Sequence, residues 1–478
     1  MAPLDTTGAL LVQAGGHGAA EVHTGEHVLP SLFWSWPFVA LLLAIAVLPL
    51  LPRTHHWWEH NRNKLLVALS LAAVTLLYYL FRGFGFHSAE AGLSSVGLVL
   101  KHAVLDDFVP FIVLLFSLYT ISGGINLRGD LPAHPLTNCV FLLLGALLAS
   151  VVGTTGAAML LIRPLLQINS ERKHVTHTVV FFIFLVANIG GSLLPIGDPP
   201  LFLGYLRGVP FLWTLNLWME WAFMVLILLL VYYVWDKLAY RREAIRDVVR
   251  DETTIVPLSL RGKFNFLLLV GVILAVALLV PGKTLPGTSW VVPHGWFFRE
   301  QVQILLAALS LKLTPRAVRE ANRFNFVAIG EVAALFIGIF ITMQVPIEIL
   351  QAKGPELGLH RPWQFFWATG TLSSFLDNAP TYVVFFETAG ALSLDTGQHV
   401  ISGLATATGR ISMELLVAIS LGSVFMGANT YIGNGPNFMV KSIAEYSGIK
   451  MPSFFGYMLY SIGILVPLFL LVTWLFMR

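Results

Sequence analysis

Charged residues are scarce in this sequence. Asp, Glu, Lys and Arg make up 12% of the 478 positions, whereas hydrophobic residues make up 56%. With a mean hydropathy of +0.76, the composition excludes an ordinary soluble protein and is typical of a chain that crosses a membrane many times. The net charge of +3 gives no indication of nucleic-acid binding. We therefore expect an all-α polytopic membrane protein whose main surroundings are the lipid bilayer.

Other absences narrow the function. Cys139 is the single cysteine, so a disulfide framework and a thiolate metal cluster are excluded. Residues 1–31 contain no Lys or Arg and lack the basic start of a secretory signal, so we predict a polar extracytoplasmic tail there, followed by a first span. The sequence has no HExxH, GxSxG or P-loop pattern. We accordingly expect no enzyme and no cofactor, with a membrane enzyme and a channel as the alternatives.

Apolar segments of spanning length recur along the chain. They cover residues 32–51, 65–81, 105–125, 175–206, 211–235, 264–280, 324–350, 411–444 and 454–476, with 300–313 as a shorter tenth candidate. Two further segments, 136–169 and 362–390, are interrupted in the middle, at GTTG (153–156) and SSFLDNAP (373–380). Their arms of about 12 to 17 residues would reach only about 18 to 25 Å. That is too short to cross a bilayer core of about 30 Å comfortably, so we predict two re-entrant hairpins.

The positive charges give the predicted orientation. With the N-terminus outside, most of the 29 Lys and Arg residues fall in inside loops, as the positive-inside rule requires. The chain then divides into two inverted repeats, each with five spans and one hairpin. The predicted boundaries are 32–237 for the first repeat (hairpin 136–169, broken span 175–206), 238–263 for a cytoplasmic linker, and 264–478 for the second repeat (hairpin 362–390, broken span 411–447). We expect a bacterial-type inner membrane as the location.

Two of the spans cannot be continuous helices. The first contains VANIGGSLLPIGDPP (186–200), where glycines and prolines interrupt an apolar run, and the second contains ANTYIGNGPN (428–437). Backbone freed by a break cannot face lipid and has to face protein or a water-filled cavity. Paired broken helices at a repeat interface are typical of the ligand sites of secondary transporters.

The four breaks are rich in oxygen-bearing side chains, which suit small hard cations, and none of their tips carries Lys or Arg. The candidate binding residues are Thr154, Thr155, Asn188, Asp198, Ser373, Ser374, Asp377, Asn378, Asn429, Asn434 and Asn437. Among them, Asp198, Asp377, Asn188 and Asn378 are the predicted Na⁺ ligands. A carboxylate in each half can be neutralised by a cation or by a proton, which is the basis of exchange.

Structural roles are open for the same residues. Asp198 and Asp377 each stand near a proline that could open a helix, so either could be an N-cap. The asparagines could only satisfy loose backbone. Glu331 is a candidate proton relay, with an interfacial partner for Arg323 or an ion pair across helices as the alternative. Arg163, before Pro164, could draw anions toward the inner mouth or simply extend to the membrane surface.

Three motifs carry a family resemblance: SFLDNAP (374–380), IGDPP (196–200) and ANTYIGNGPN (428–437). They resemble the ion transporter superfamily, and most of all its NhaD-type sodium/proton antiporters and the related arsenite permease and citrate transporter branches. The resemblance covers residues 32–477. It implies a homodimer whose transport domains move as elevators against a scaffold. Carboxylate transporters of this group have Ser-Asn-Thr at both hairpin tips, and this chain does not.

The leading hypothesis is therefore Na⁺ (or Li⁺)/H⁺ antiport by alternating access through Asp198 and Asp377. The alternative is cation-coupled transport of citrate or another carboxylate, or of arsenite, by a protein of the same superfamily. Both hypotheses treat the ions as transported substrates.

Overall fold

A computed structural model gives the architecture of the chain. It describes residues 29–49, 51–87, 89–253, 255–293, 295–395, 403–406 and 409–477. The predicted polar tail, 1–31, lies outside the described residues except for its last three positions. Helices dominate the described part, which confirms the all-α class.

Within its described residues, the first half of the chain has ten α-helices and one short strand. The helices are α1 (Trp36–Val47), α2 (His55–Trp58), α3 (Asn61–Phe81), α4 (Leu93–Leu100), α5 (Val109–Ser122), α6 (Pro135–Val152), α7 (Thr154–Ile168), α8 (Thr176–Leu185), α9 (Pro199–Leu206) and α10 (Trp218–Tyr240), and the strand is β1 (Asn126–Asp130). A π-helical segment, Lys101–Phe108, joins α4 to α5, and 3₁₀ turns cover Leu32–Ser35, Ile189–Ser192 and Phe211–Leu217.

The linker and the second half follow. They contain α11 (Ile245–Thr253), β2 (Val256–Arg261), α12 (Phe264–Leu278), α13 (Phe298–Leu313), α14 (Arg316–Ala321), α15 (Val327–Thr342), α16 (Gln344–Lys353), α17 (Pro362–Phe375), α18 (Asn378–Asp395), β3 (Gly403–Thr406), β4 (Gly409–Ser412), α19 (Met413–Met426), α20 (Gly435–Tyr446) and α21 (Phe454–Phe476). Further 3₁₀ turns cover Gly354–Leu357 and Gly427–Asn429. In both halves a helix pair, a pair of helices separated by a break and one long helix come in the same order. The inversion of the second half stays a prediction, as do the predicted domain boundaries.

Five helical stretches of the described chain are long and apolar enough to cross a membrane. They are Asn61–Phe81, Leu93–Ser122, Pro135–Val152, Phe211–Tyr240 and Phe454–Phe476. The predicted span at 324–350 is not one straight helix, because it bends by 43° where α15 meets α16. The predicted spans at 32–51, 175–206, 264–280 and 411–444 correspond to apolar helices of 10–17 residues, since glycines and prolines end these helices early. The shorter candidate at 300–313 lies in α13, which has 16 residues. The result is a multi-pass membrane protein.

One arm of each predicted hairpin is longer than expected, whereas α7 with 15 residues and α17 with 14 lie within the predicted range. Helices α6 and α18 each have 18 residues, which corresponds to about 27 Å, and α6 alone has the length and composition of a span. The turn between α6 and α7 is the single residue Gly153, whose φ of 82° is accessible to glycine at little cost. A span and a re-entrant arm therefore differ less in length here than the sequence suggests.

The two broken helices form the centre of the molecule. Every residue of α8 from His177 to Leu185 is buried, and so is nearly all of α19. A helix that is apolar all round has to be covered on every side. By contrast, α10 exposes Leu226, Leu230 and Val234, a stripe with i, i+4 spacing that suits contact with lipid. The break that follows each central helix is thereby held deep inside the protein.

Two small antiparallel ribbons complete the fold. Strand β1 pairs with β2 in the linker, with Leu127 opposite Leu260, and β3 pairs with β4. The helical periodicity did not predict either ribbon. The first one ties the segment after α5 to the linker between the halves.

Candidate ion-binding site

Asp198 lies immediately before α9 and is buried, with 1% of its surface exposed. Its carboxylate accepts hydrogen bonds from the Thr154 hydroxyl at 3.2 Å, the Asn378 amide at 2.9 Å and the Asn434 amide at 3.4 Å. All three donors are neutral. In the described part of the chain no Lys, Arg or His nitrogen lies within 4.0 Å of this carboxylate. Asp198 is thus a buried carboxylate without a cationic side chain to balance it.

The donors come from the beginnings of other helices. Thr154 is the first residue of α7, Asn378 is the first residue of α18, and Asn434 precedes α20 as Asp198 precedes α9. Asp198 and Asn434 even share the same extended backbone, with φ of −144° and −153°. Four helix N-termini therefore meet at one point, and each N-terminus carries about half a positive charge. This arrangement stabilises negative charge at Asp198.

A chain of asparagine side chains joins the two broken helices. The Asn434 amide also donates to Asn188 Oδ1 at 3.2 Å, and the Asn188 amide donates to Asn437 Oδ1 at 2.7 Å. The Asn437 amide in turn donates to the carbonyl oxygens of Gly427 and Thr430, at 2.8 and 2.9 Å. These bonds supply the freed backbone carbonyls with donors, so Asn188 and Asn437 have at least a scaffold role.

Glycines let the two sides of each break come close together. A Cβ atom on Gly197 would lie 2.2 Å from the carbonyl oxygen of Gly191, and one on Gly433 would lie 2.6 Å from that of Gly427. Such approaches leave no room for a side chain. The carbonyl oxygen of Gly197 also accepts a hydrogen bond from the Thr154 backbone N–H at 2.8 Å. The glycines thus fix both the break and its contact with the first helix pair.

Asp377 has different surroundings from Asp198. It is half-buried, and its Oδ1 accepts a hydrogen bond from the backbone N–H of Ala379 at 3.1 Å. This is the N-cap interaction that the sequence offered as the structural alternative. Asp198 makes no such capping bond to α9. The next residue in the sequence, Asn378, donates its amide hydrogen bond to the carboxylate of Asp198.

The remaining predicted residues lie around the second break or beside the first. The Ser373 hydroxyl donates to the Ser423 carbonyl, the Ser374 hydroxyl donates to the Gly370 and Met426 carbonyls, and the Asn429 amide donates to Ser374 Oγ at 2.9 Å. No hydrogen bond joins these three residues to Asp198 within the described structure. Thr155 is half-buried, and no hydrogen bond of its side chain is found there either. The serines of the second tip therefore reach the backbone of the second break, while Asn378 of the same tip reaches the Asp198 carboxylate.

Two amide oxygens at these tips have no donor. Asn378 Oδ1 and Asn429 Oδ1 are buried and unpaired in the described structure. Buried polar atoms are normally hydrogen-bonded, so these two oxygens are free to accept a further partner. Amide oxygens are suitable ligands for hard cations.

Glu331 takes part in an ion pair across helices. Its carboxylate lies 2.6 Å from Nζ of Lys64, whose side chain is 5% exposed, where α15 packs against α3. This contact matches the alternative of a pair across helices, with Lys64 rather than Arg323 as the partner. The proton-relay role of Glu331 stays a prediction.

Sequence reasoning missed a buried charge network between the end of α9, the middle of α18 and the π-helical segment before α5. Arg207 follows α9, and its guanidinium lies 3.1 Å from the carboxylates of both Asp107 and Glu387. Asp107 and Glu387 are 100 and 180 positions away from Arg207 in the sequence, so no local pattern could have paired them. Thr430 was also missed, although the motif ANTYIGNGPN contains it. Its hydroxyl donates to the Ser374 carbonyl and accepts from the backbone N–H of Gly433.

The buried apolar centre, the two broken helices and the polar cluster between them define a multi-pass membrane protein built as a secondary transporter. The model of the family described as "Putative citrate transport" matches residues 27–477. The chain belongs to that family, which confirms the predicted kinship with citrate transporter-like ion transporters. No curated relative matches the chain.

Proposed function

We propose that the protein exchanges Na⁺ or Li⁺ for protons by alternating access. The observation that carries this proposal is the buried Asp198 carboxylate with three neutral donors and no cationic side chain beside it. A carboxylate charge inside a membrane costs at least about 2.5 to 3.5 kcal/mol unless it is balanced. A transported cation or a proton would balance it, and the two compete for the same oxygens.

The remaining ligands of the cation would be uncharged. Asn378 Oδ1 and Asn429 Oδ1 lack donors, and the breaks leave backbone carbonyls such as that of Gly427 beside the cluster. Thr154 contributes a hydroxyl oxygen on the opposite side. A site made of one carboxylate and several neutral oxygens suits an alkali cation better than an anion.

Asp377 would be the second carboxylate of the cycle. Only one of its oxygens is used by the helix cap, and the residue is half-buried. Its charge also acts on Asp198. A cation would therefore meet an accessible carboxylate first and a buried one second. The four helix N-termini at Asp198 and the start of α18 at Asp377 favour the ionised carboxylates, which are the forms that bind cations.

Cation-coupled transport of citrate or a similar carboxylate is the second candidate. The family description favours it, and so do the four helix N-termini that meet at Asp198, because such termini also bind anionic groups. In that case the Asp198 carboxylate would lie where the helix N-termini bind the transported anion. A coupled cation would then have to neutralise the charge of Asp198.

The membrane arrangement belongs to the same proposal. We place the protein in a bacterial-type inner membrane with its N-terminus outside and residues 238–263 in the cytoplasm, because the loop charges follow the positive-inside rule. The homodimer and the elevator motion rest on the family resemblance.

The test uses proteoliposomes that contain a pH-sensitive dye and an imposed proton gradient. We expect NaCl or LiCl alone to collapse the gradient, KCl to have little effect, and protein-free liposomes to show no response. A response to citrate with none to the chlorides would refute the antiport proposal and support the second candidate.

A further inference from the structure

One cavity in the described structure is lined by charged side chains of a single sign. Its volume is about 1140 Å³, and four arginines line it: Arg128, Arg163, Arg172 and Arg323. No Asp or Glu is among the lining residues. The chain has nearly equal numbers of acidic and basic residues, 26 and 29, so a cavity lined by positive charges alone is unusual for its composition. Such a cavity concentrates anions.

Three of the four arginines are not neutralised. Arg172 is paired with Asp236 at 2.5 Å, so its positive charge is balanced. No carboxylate oxygen of a described residue lies within 4.0 Å of Arg128, Arg163 or Arg323. Arg163 and Arg323 are close enough to repel each other. The cavity thus holds repelling positive charges that an anion would relieve.

One arginine of the cavity has an unused donor, and another is held in place by its surroundings. Nη1 of Arg163 is buried without a hydrogen-bond acceptor, and a buried unpaired N–H group of this kind is costly. Arg323 has a φ of 49°, in the left-handed region that non-glycine residues rarely adopt. Its guanidinium lies 4.7 Å from the centre of the Tyr446 ring. The backbone and the ring thereby hold the Arg323 guanidinium in place beside the cavity.

The cavity is separate from the ion-binding site but lies on the same helices. Arg163 is nine residues after Thr154 on α7, a distance of about 14 Å along the helix. Helix α20 begins beside Asn434 and ends at Tyr446, which lines the cavity. In the membrane arrangement proposed above, with the N-terminus outside, the segments that carry the four arginines face the cytoplasm. The cavity would then lie between that face and the Asp198 cluster.

We propose that this cavity binds a multivalent oxyanion, with Arg163 and Arg323 as its main ligands. Guanidinium groups match the oxygens of phosphate and carboxylate groups in geometry, and three uncompensated charges favour an anion with two or more negative charges. The anion comes from solution or from the phosphate of an anionic lipid at the membrane surface. The proposal does not depend on which ion the Asp198 site transports.

The experiment measures binding of potassium pyrophosphate to the purified full-length protein by calorimetry, in nanodiscs of zwitterionic lipid and at fixed ionic strength. Wild type should bind, and the double variant R163Q/R323Q should bind at least about tenfold more weakly, because two charged hydrogen-bonding groups are lost. The matched control is R316Q, which removes an exposed arginine of α14 that does not line the cavity. It should bind like wild type, and so should D198N, which separates this result from the transport proposal.

A second measurement, in nanodiscs that contain an anionic lipid, distinguishes the two sources of the anion. If phosphatidylglycerol in the nanodisc weakens pyrophosphate binding to wild type, the lipid phosphate occupies the same cavity, and if it has no effect, the ligand is a soluble anion. If the double variant folds poorly, two single variants replace it. R163K, which keeps the positive charge, should bind pyrophosphate more tightly than R163Q, which loses it. Absence of binding to wild type, or equal binding by a folded R163Q/R323Q, would overturn the proposal.

Discussion

Asp198 and Asp377 have similar sequence settings and different structural settings. Each precedes a helix that begins with a nearby proline, in the first and the second half of the chain. Asp198 is buried and accepts bonds from three side chains of distant segments. Asp377 is half-buried and accepts one bond from the backbone two residues away.

The comparison separates two uses of a carboxylate at a helix N-terminus. A cap needs only a local N–H group, and Asn serves as well as Asp in that role. A buried carboxylate with neutral partners needs something to balance its charge. The same local pattern therefore supports a capping role for one residue and a binding role for the other, and the following variants test that division.

The largest effect is expected from D198N. Asn keeps the size of the side chain and removes the charge that binds the cation. Losing one partner of a buried charge interaction costs roughly 3 to 5 kcal/mol, so Na⁺/H⁺ exchange in proteoliposomes should fall roughly a hundredfold or more. Gel filtration should show a folded protein. Exchange at the wild-type rate would refute the role of Asp198.

A large effect on folding is expected from G197A. The new Cβ would lie 2.2 Å from the carbonyl oxygen of Gly191, so the break that positions Asp198 has to shift. Overpacking of this kind costs about 1 to 3 kcal/mol, measurable as a lower unfolding temperature in detergent. The control is G435A in the second broken span, where nothing lies within 4 Å of the added atom. Equal stability of the two variants would contradict the close approach at the first break.

A smaller effect is expected at Asp377, where two variants separate charge from capping. D377N keeps the cap and removes the charge, and we expect the apparent affinity for Na⁺ to fall about tenfold, equivalent to about 1.4 kcal/mol, with little change in stability. D377A also removes the cap, which should cost about 1 kcal/mol of stability. If D377N exchanges ions with wild-type affinity, Asp377 is a cap alone and Asp198 carries the site.

The smallest effect on exchange is expected for a third carboxylate, Glu331. Its partner, Lys64, is almost fully buried, so E331Q should lower the unfolding temperature while exchange stays within about twofold of wild type. Adding K64M should restore part of the stability, because the buried charge is then removed as well. A complete loss of exchange in a folded E331Q protein would instead make Glu331 the proton relay.

The site was only partly predictable from the sequence. The glycines and prolines of residues 186–200 revealed the first break, and burial of Asp198 followed from the apolar run around it. The hydrogen bond from Asn378 to Asp198 joins residues 180 positions apart, and that from Asn188 to Asn437 joins residues 249 apart. Nothing in either local stretch selects its partner, because only the packing of distant helices brings them together.

Some local features of the structure also could not be predicted from the sequence. The sequence predicted two re-entrant hairpins but not the geometry of their turns: the first turns within one residue, Gly153, and the second has Asp377 as a cap. Arg163 could be interpreted as an arginine at the membrane surface or as an anion attractor. Its unpaired Nη1 and its nearness to Arg323 emerge only from the fold.

The sequence by itself determined the membrane class, the family and the places where helices stop, because hydrophobic runs, glycines and prolines act on the backbone within a few residues. Only the tertiary structure decided which of the freed polar groups meet. It gave Asp198 three donors from the starts of three other helices, and it placed Arg163, Arg323 and Arg128 around one cavity without a carboxylate among its lining residues. The physical reason is that charge and hydrogen bonding act through distance in space, which a linear sequence does not contain.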